Sequence, residues 1–417
     1  MIISYFVYDT PTLLHCSRTC RSWNAAAKPH LFYSLTTYAY TRDYKKYQWP
    51  APLTESSGLD LLQHVQRLRI REWDYLKTGL DLKFSLERFG ESTLQDFLKL
   101  TNLQHLQIQK LQLSSFMPKI QQYFGHFAPS LKRLCLEEPT ASCHQLLYFI
   151  GLFPRLQNLI LINLSDEVES AADSALVPPS TPDLCGLLVL MDYSGEELIK
   201  CMIKLFGGLR FRHMNLEGVK CTRLLLEACA KTLETLRLNP TDTCNQEFIQ
   251  NGEVYPLHSN LSKNTSLRTL EIEAGNVTVA SYVAPNFLTT LLATITSPLL
   301  LDVVVIYRER EVGCHVTDGH NQSEDSPTDH AELFRIYSEM HSVRNFRLVL
   351  CAEVLKCDEE AALEALERCV EEEAKDGGFD YLGCRPLIIS RVGGALWAGT
   401  TERVTCRSQS TQSTAQF

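Results

Sequence analysis

The sequence has no apolar run long enough to cross a membrane. A spanning helix needs about 20 apolar residues, and the longest candidate runs here are Leu146–Phe153 and Leu299–Tyr307. The first residues, Met1–Asp9, also lack the basic segment and the small-residue cleavage site of a secretory signal peptide. We therefore expect a chain that contacts no membrane and acts in the cytoplasm, the nucleus or both.

The chain also has few charges and no excess of basic residues. Charged residues make up 21%, and 40 Lys and Arg against 49 Asp and Glu give a net charge of −9. General nucleic-acid binders and proteins of anionic membrane surfaces need the opposite sign, so we predict neither partner. Hydrophobic residues make up 45% of the 417, which is enough for a large buried core.

The 15 cysteines form no paired C-x-x-C group, and the common nucleophile, phosphate-loop, dinucleotide and zinc-protease motifs are missing. Without a secretory signal, the thiols are expected to stay reduced and to act as small hydrophobes. Cys16 and Cys20, one helical turn apart, are a weak metal candidate, as is a polar loop cluster. That cluster consists of Cys314, His315, Asp318 and His320. We predict no catalytic residue, no metal and no cofactor, and an enzyme using this loop is the least favoured class.

A six-residue pattern, apolar-x-x-apolar-x-apolar, recurs along most of the chain. Successive copies start 22 to 43 residues apart, close to the 20–29 residues of a leucine-rich repeat with insertions in the longer intervals. The ten copies are Val65–Ile70, Leu103–Ile108, Leu131–Leu136, Leu156–Leu161, Leu184–Val189, Phe211–Leu216, Leu233–Leu238, Leu267–Ile272, Leu300–Val305 and Val343–Leu348.

The spacing within the pattern explains why it predicts stacked units. Its last two apolar positions are two residues apart and so lie on one face of a strand. The segments between copies, such as Ser142–Gly151 and Thr222–Lys231, carry apolar residues at helical spacing. One strand and one helix cannot bury their own apolar face, but stacked copies share a core. The predicted fold class is therefore α/β, an irregular leucine-rich-repeat solenoid with a strand and a helix per repeat.

Composition sets the predicted boundaries. The repeats occupy 65–350, with insertions near 165–183, which is acidic and rich in Ser and Pro, and near 308–329. A connector covers 36–64. An acidic helix, Asp358–Lys375, lies in a C-terminal cap at 351–390, and a low-complexity tail at 391–417 is expected to be disordered.

The first 35 residues do not fit the repeat. Asp9 and Pro11 predict a helix start, and Leu13, Leu14, Cys16, Cys20 and Trp23 form an apolar set at three- and four-residue steps. The pattern predicts that this helix continues through Ala25–Ala27 and ends at Pro29. A module this short needs the repeats, a partner or both to complete its core.

The same residues carry a resemblance. Ile2-Ile3, Asp9, the run Thr12–Trp23 with its Cys-Arg-Ser-Trp end, and Ala27–Leu35 with His-Leu-Phe resemble a fungal-type F-box. The resemblance covers about residues 1–35 and is N-terminally incomplete, because the family's opening Leu-Pro-x-Glu segment does not precede these residues. An F-box followed by leucine-rich repeats is a familiar domain order.

The resemblance implies a function. F-box proteins dock on the SKP-family adaptor of a cullin-RING (SCF) ubiquitin ligase, and their second domain captures a protein substrate. The alternative is a leucine-rich-repeat interaction scaffold whose degenerate F-box no longer binds the adaptor. Carried over by position, the adaptor-binding or F-box core residues are Ile2, Ile3, Leu13, Leu14, Cys20 and Trp23.

Strand alternation predicts the substrate-binding surface. If the apolar residues of each copy point inward, the residues between them line the concave face of the solenoid. This face is expected to run from basic near the F-box to acidic further along. The candidate residues are Arg67, Arg69, Arg71, His105, Gln107, Arg133, Arg237 and Glu271.

Overall fold

The structure is a computed structural model that describes residues 10–39, 59–72, 98–113, 117–166, 176–191, 197–217, 221–239, 260–274, 291–309, 340, 342–343, 345–352, 387–393 and 403–405. The chain divides into two compact units. Unit 1 comprises residues 1–211 and 219–224, and unit 2 comprises residues 212–218 and 225–417.

Unit 1 begins with two helices and continues as an open parallel sheet. The helices are α1 (Thr10–Thr19) and α2 (Arg21–Leu31). The sheet strands, in their spatial order, are β1 (Ser34–Ala39), β2 (Arg67–Glu72), β3 (His105–Gln109), β4 (Arg133–Glu137), β6 (Asn158–Ile162) and β8 (Leu187–Met191). Between them lie α3 (Leu59–Leu62), α4 (Met117–Phe124), α5 (Cys143–Gly151) and a short pair formed by β5 (Thr140–Ala141) and β7 (Ser165–Asp166), and α6 (Glu197–Leu205) follows β8.

Unit 2 has the same plan. Its parallel strands are β9 (His213–Glu217), β10 (Thr235–Asn239), β11 (Thr269–Ala274), β12 (Asp302–Glu309), β13 (Asn345–Ala352) and β14 (Leu387–Gly393), paired in chain order. A short strand, β15 (Arg403–Thr405), pairs antiparallel with β14. The helix α7 (Thr222–Ala228) follows β9. The α/β class with a parallel sheet is thus confirmed.

The apolar positions of the repeated pattern form the core. One row of paired residues crosses β2, β3, β4 and β6 and consists of Leu68, Leu106, Leu134 and Leu159. All four are buried. A second buried row across the same four strands consists of Ile70, Ile108, Leu136 and Leu161. On β2, β3 and β4 the residues between them are half-buried on the opposite, outer face, as period-two alternation requires.

Consecutive strands also enter and leave the sheet in the same way. The carbonyl of Gln66 accepts from Gln104 and His105, and the carbonyl of Gln104 accepts from Lys132 and Arg133. Unit 2 repeats this at Arg212 and Glu234. After β3, β4 and β6 the chain turns through a positive φ at Lys110, Glu138 and Asn163. This conformation is uncommon for residues with a side chain, so its recurrence marks one structural unit repeated.

One copy of the pattern was predicted in the wrong register. The pattern at Leu184–Val189 places Leu187 and Val189 inward, but Leu188 and Leu190 are buried and pair with the core rows. An extra residue is accommodated before this strand, where the side-chain oxygen of Asn158 accepts from the Leu187 amide at 2.8 Å. A Cβ on Gly186 would collide with that oxygen, so a residue with a side chain there would displace Asn158 from this hydrogen bond.

Within the predicted insertion near 165–183, Ser180 donates to the Gly151 carbonyl at 2.5 Å and Pro182 is buried, whereas Val177 is 72% exposed. Other segments differ from the predicted boundaries. The predicted insertion at 308–329 begins later, since Arg308 and Glu309 belong to β12. Leu387–Gly393 crosses the predicted boundary at 390, and Arg403–Thr405 forms a strand inside the tail expected to be disordered. The predicted helix Asp358–Lys375 lies outside the described residues.

Candidate protein-interaction surfaces

The N-terminal helices separate buried from exposed apolar residues. Leu13 and Ala27 are buried and pack together, with Ala26 and Leu31 against them. Leu14 and Trp23 are 43% and 40% exposed. Leu13 is therefore a core residue of the helical pair, whereas Leu14 and Trp23 are available to a partner. Ile2 and Ile3, predicted for the same role, lie outside the described residues.

The prediction of one helix through this segment was wrong, because the chain breaks at Cys20. Its backbone is extended, with φ −160° and ψ 169°, and α2 begins at the next residue. The Asn24 side chain donates to the Ser17 carbonyl at 2.9 Å and joins the two helices. Pro29 does not end α2 either. Pro29 lies inside the helix, and Phe32 donates to the Lys28 carbonyl at 3.0 Å beyond it.

The break leaves Cys20 exposed and chemically distinct. Its sulfur lies 3.1 Å from the Ser22 hydroxyl. That hydrogen bond, and then one from the Trp23 backbone, lowers the pKa of the Cys20 thiol below its usual value. Cys16 is buried in α1, so the two thiols do not form the metal pair considered from their spacing. No group of three or more His, Cys, Asp or Glu in the described parts of the chain could hold a metal ion.

The outer face of unit 1 brings together four of the predicted substrate-binding residues. Arg67, His105 and Arg133 lie directly opposite one another on β2, β3 and β4. Arg69 lies two residues further along β2, beside Gln107. We call Arg67, Arg69, His105 and Arg133 the basic cluster. Arg71 belongs to β2 as well, but its side chain is outside the described set.

The members of the basic cluster repel one another. Burial lowers the pKa of Arg67, and the charges of Arg69 and Arg133 lower it further. Burial also lowers the pKa of His105, followed by the charges of Arg133, Arg67 and Lys132. The Nε atom of Arg69 is buried and makes no hydrogen bond. Four cationic or potentially cationic groups therefore share one half-buried region of the sheet.

A neutral thiol, Cys135, and one carboxylate, Glu137, lie beside the basic cluster on the outer face. Burial, and then the nearby charge of Glu137, raises the pKa of the Cys135 thiol to about 12, so this sulfur stays neutral. The Glu137 carboxylate accepts hydrogen bonds from Gln107 and, at 3.9 Å, from Cys135. Gln107 thus holds an internal bond, and its predicted role as a substrate contact would compete with Glu137.

The outer face becomes apolar beyond β4, which the sequence analysis missed. In the row that contains Arg69, Gln107 and Cys135, the next residues are Ile160 on β6 and Val189 on β8. Ile160 is buried and Val189 half-buried. The sequence of Asn158–Ile162 indicates this, because its three central residues are all apolar and do not alternate with polar ones.

In unit 2, the two remaining candidates form an ion pair with each other. Arg237 and Glu271 are opposite residues on β10 and β11, and the Arg237 Nε lies 3.2 Å from the Glu271 carboxylate. The expected change from basic to acidic residues therefore includes an internal ion pair. A separate open pocket of about 390 Å³ is lined by Thr296, Ser297, Pro298, Leu300 and Ser342, together with Ile295 and Met340, and contains no titratable side chain among these.

Comparison with known proteins provides no family. No family model matches the chain, and no curated protein matches its sequence significantly. None of the described helices is both long and apolar enough to cross a membrane.

The position of His105 predicts a pH effect on the stability of unit 1. Because the pKa of His105 is lower in the folded protein than its usual value near 6.5, the unfolded chain takes up the proton first as the pH falls. The free energy of unfolding should therefore decrease below about pH 6.5, and less so in His105→Gln. Urea unfolding at several pH values between 7.5 and 5 measures this. Gln107→Asn, a change in a non-titrating neighbour, should keep the wild-type pH dependence, and an equal loss in all three proteins would contradict the prediction.

Proposed function

We propose that this chain is a substrate-recognition subunit of an SCF-type ubiquitin ligase. In this proposal α1 and α2 form an F-box that docks on the SKP-family adaptor, and the strand-and-helix units form a leucine-rich-repeat solenoid that binds a protein substrate. The observation that carries the proposal is the exposure of Leu14 and Trp23 beside the buried Leu13 and Ala27. Exposed apolar side chains on this short helical module would supply contacts to a partner, and Trp is enriched among the residues that dominate binding energy.

The arrangement of the repeats supports the second half of the proposal. Each copy of the pattern lies at one parallel strand, the apolar pairs of β2, β3, β4 and β6 share a core, and the backbone bonds at the strand entries recur. Repeat proteins built this way bind partners on the broad face of their sheet. The basic cluster lies on that face in unit 1.

The proposed protein performs no chemistry itself. A docked F-box would hold a captured substrate close to a ligase active site on another subunit, which raises the effective concentration of the substrate there. The separate surfaces needed for this, one on the N-terminal helices and one on the outer sheet face, are both available in unit 1.

Adaptor binding tests the proposal. Leu14→Ala and Trp23→Ala in the full chain should each weaken binding to a purified SKP-family adaptor by about tenfold or more, as expected for central apolar contacts. Leu299→Ala is the matched control, because Leu299 is 44% exposed in unit 2 and should bind as wild type. Calorimetry or a quantitative pull-down provides the measurement. A wild-type chain that does not bind the adaptor would favour the interaction scaffold instead.

A further inference from the structure

We propose that Thr181 is a phosphorylation site for a proline-directed protein kinase, and that Arg210 pairs with the phosphate. The inference goes beyond the proposed function, because neither the adaptor nor a captured substrate takes part in it. It starts from the pair Thr181-Pro182, a hydroxyl residue followed by proline, in the segment that precedes β8.

The structure distinguishes this pair from another with the same pattern. Serine or threonine followed by proline occurs four times in the chain, and the structure describes the hydroxyl side chains of two of these, Thr181 and Ser297. Thr181 is exposed, and its hydroxyl has no hydrogen-bond partner among the described residues. Ser297 is 4% exposed, and its hydroxyl donates to the carbonyls of Thr265 and Leu267 at 3.0 and 2.8 Å. A kinase can therefore reach the first hydroxyl and not the second.

The backbone at Thr181 is extended, which is the form in which protein kinases bind their substrates. Residues 176–186 form no helix or strand. The exposed residues of this segment alternate with buried or half-buried ones and are Val177, Pro179, Thr181 and Asp183. Such alternation indicates an extended chain, and a proline also restricts the residue before it to extended conformations. Thr181 thus presents its hydroxyl from an extended segment.

Two hydrogen bonds fix the residues on either side of Thr181. Ser180 donates to the Gly151 carbonyl at 2.5 Å, and the Asp183 amide donates to the Pro154 carbonyl at 3.1 Å. Because the proline after Thr181 is buried, a kinase must lift this segment in order to contact the proline. Irregular segments with few hydrogen bonds open locally at low cost in free energy, so the lifting limits the reaction only weakly.

A cation for the phosphate lies close by. The Arg210 Nη2 atom is 3.3 Å from the Asp183 carboxylate, and both side chains are exposed, at 70% and 51%. An exposed ion pair of this kind is weak and easily exchanged. Thr181 and Asp183 are about 6.6 Å apart along an extended chain and on the same side of it. Phosphothreonine has nearly two charges and three acceptor oxygens, so it competes with the single charge of Asp183 for Arg210.

The transfer needs only ATP and the kinase besides Thr181. The hydroxyl oxygen of Thr181 forms a bond to the γ-phosphorus of ATP, and the bond from that phosphorus to the bridging oxygen breaks. ADP leaves with this oxygen and its electron pair, and the hydroxyl proton passes to a base of the kinase. Nothing is oxidised or reduced.

The test treats the folded full chain with an active mitogen-activated protein kinase, ATP and Mg²⁺, and maps the phosphates by mass spectrometry over time. Thr181 should react at least about a hundredfold faster than Ser297, because access to a buried hydroxyl requires local unfolding. Synthetic peptides with the two sequences should both react, which assigns the contrast to the fold. Mapping separates any phosphate on Thr10 or Ser326, the hydroxyl residues of the other two pairs.

Two variants locate the phosphate within the segment. Thr181→Val keeps the shape of the side chain without the hydroxyl and should remove the phosphate. Ser180→Ala should keep it and speed its formation, because the variant releases the segment from Gly151. A phosphate that is lost in Ser180→Ala and kept in Thr181→Val would place the site on the wrong residue.

The partner of the phosphate is tested by ³¹P NMR titration of the phosphorylated chain. The second pKa of a phosphothreonine is about 6, and a nearby guanidinium lowers it by stabilising the dianion. This pKa should therefore be lower in the wild type than in Arg210→Gln. Arg18→Gln, which removes an exposed arginine of α1, is the matched control and should titrate as the wild type does.

Three results would overturn the inference. The first is a folded chain in which Thr181 stays unmodified, and the second is modification of Ser297 as fast as Thr181. The third is an equal pKa of the phosphate in the wild type and Arg210→Gln, which would remove the role of Arg210. None of these measurements includes the adaptor, so a failed phosphorylation site leaves the proposed function standing, and failed adaptor binding leaves the site standing.

Discussion

Phe149→Ala should lower the free energy of unfolding of unit 1 by about 3–5 kcal/mol, the range for removing a buried aromatic ring. Phe149 lies on α5 and is fully buried. Its ring meets Phe124 edge-on at 5.5 Å and Phe153 edge-on at 5.4 Å between ring centroids. Truncation leaves a cavity between α4 and α5 and removes two favourable edge-to-face contacts.

Urea unfolding of the full chain measures the effect as a shift of the unit 1 transition. Trp23→Ala is the control, because its ring is 40% exposed and its removal should cost clearly less stability than Phe149→Ala. The same control shows that loss of adaptor binding in this variant is not caused by unfolding. A loss below about 1 kcal/mol for Phe149→Ala would mean that α5 does not cover the sheet as the structure has it.

The strands and their core faces were readable from the sequence because both depend on local alternation. The two-residue spacing between Leu106 and Ile108 predicts that both are buried on one face of β3. The register then follows, because neighbouring strands must bury their apolar pairs on the same face. The extra residue before β8 escaped this reasoning. Its position depends on Gly186 and the Asn158 side chain on the neighbouring strand, a contact between residues 28 apart in sequence.

The helix break at Cys20 could have been suspected from local chemistry. The hydroxyls of Ser17 and Thr19 donate hydrogen bonds to the carbonyls of Leu14 and His15, at 2.8 and 3.1 Å. Such side-chain bonds compete with the backbone hydrogen bonds of a helix. The apolar residues keep their helical spacing across Cys20 as far as Trp23, and for this reason one long helix was predicted. The exposure of Leu14 and Trp23 needs the packing of α1 on α2 and could not be read from the pattern.

The candidate surface shows the same division between local and long-range information. Alternation correctly placed Arg67, His105 and Arg133 on the outer face, and strand order made them neighbours. It could not show that Gln107 is held by Glu137 or that Arg237 is held by Glu271. These pairings depend on side-chain reach across strands, and they separate occupied polar groups from those available to a partner.

Cys135 should react with iodoacetamide about 10²-fold more slowly than an ordinary thiol. With a pKa of about 12, about 10⁻⁴ of Cys135 is thiolate at pH 8, against about a quarter for a thiol of pKa 8.5. The greater nucleophilicity of a more basic thiolate recovers roughly 30- to 50-fold of that difference. Cys20, which is exposed and has a lowered pKa, should be modified among the first.

Peptide mapping after timed alkylation of the folded chain measures both rates, and unfolding in guanidinium provides the reference at which the two become similar. Ser22→Ala removes the hydrogen bond that lowers the pKa of Cys20. The pH–rate profile of Cys20 should therefore move to higher pH, and that of Cys135 should not change. Rapid modification of Cys135 in the folded chain would contradict a neutral thiol beside the basic cluster. Cys20 lies between Leu14 and Trp23 in sequence. If the proposed SKP-family adaptor binds at these two residues, it should slow the alkylation of Cys20 and leave that of Cys135, on the outer sheet face, unchanged.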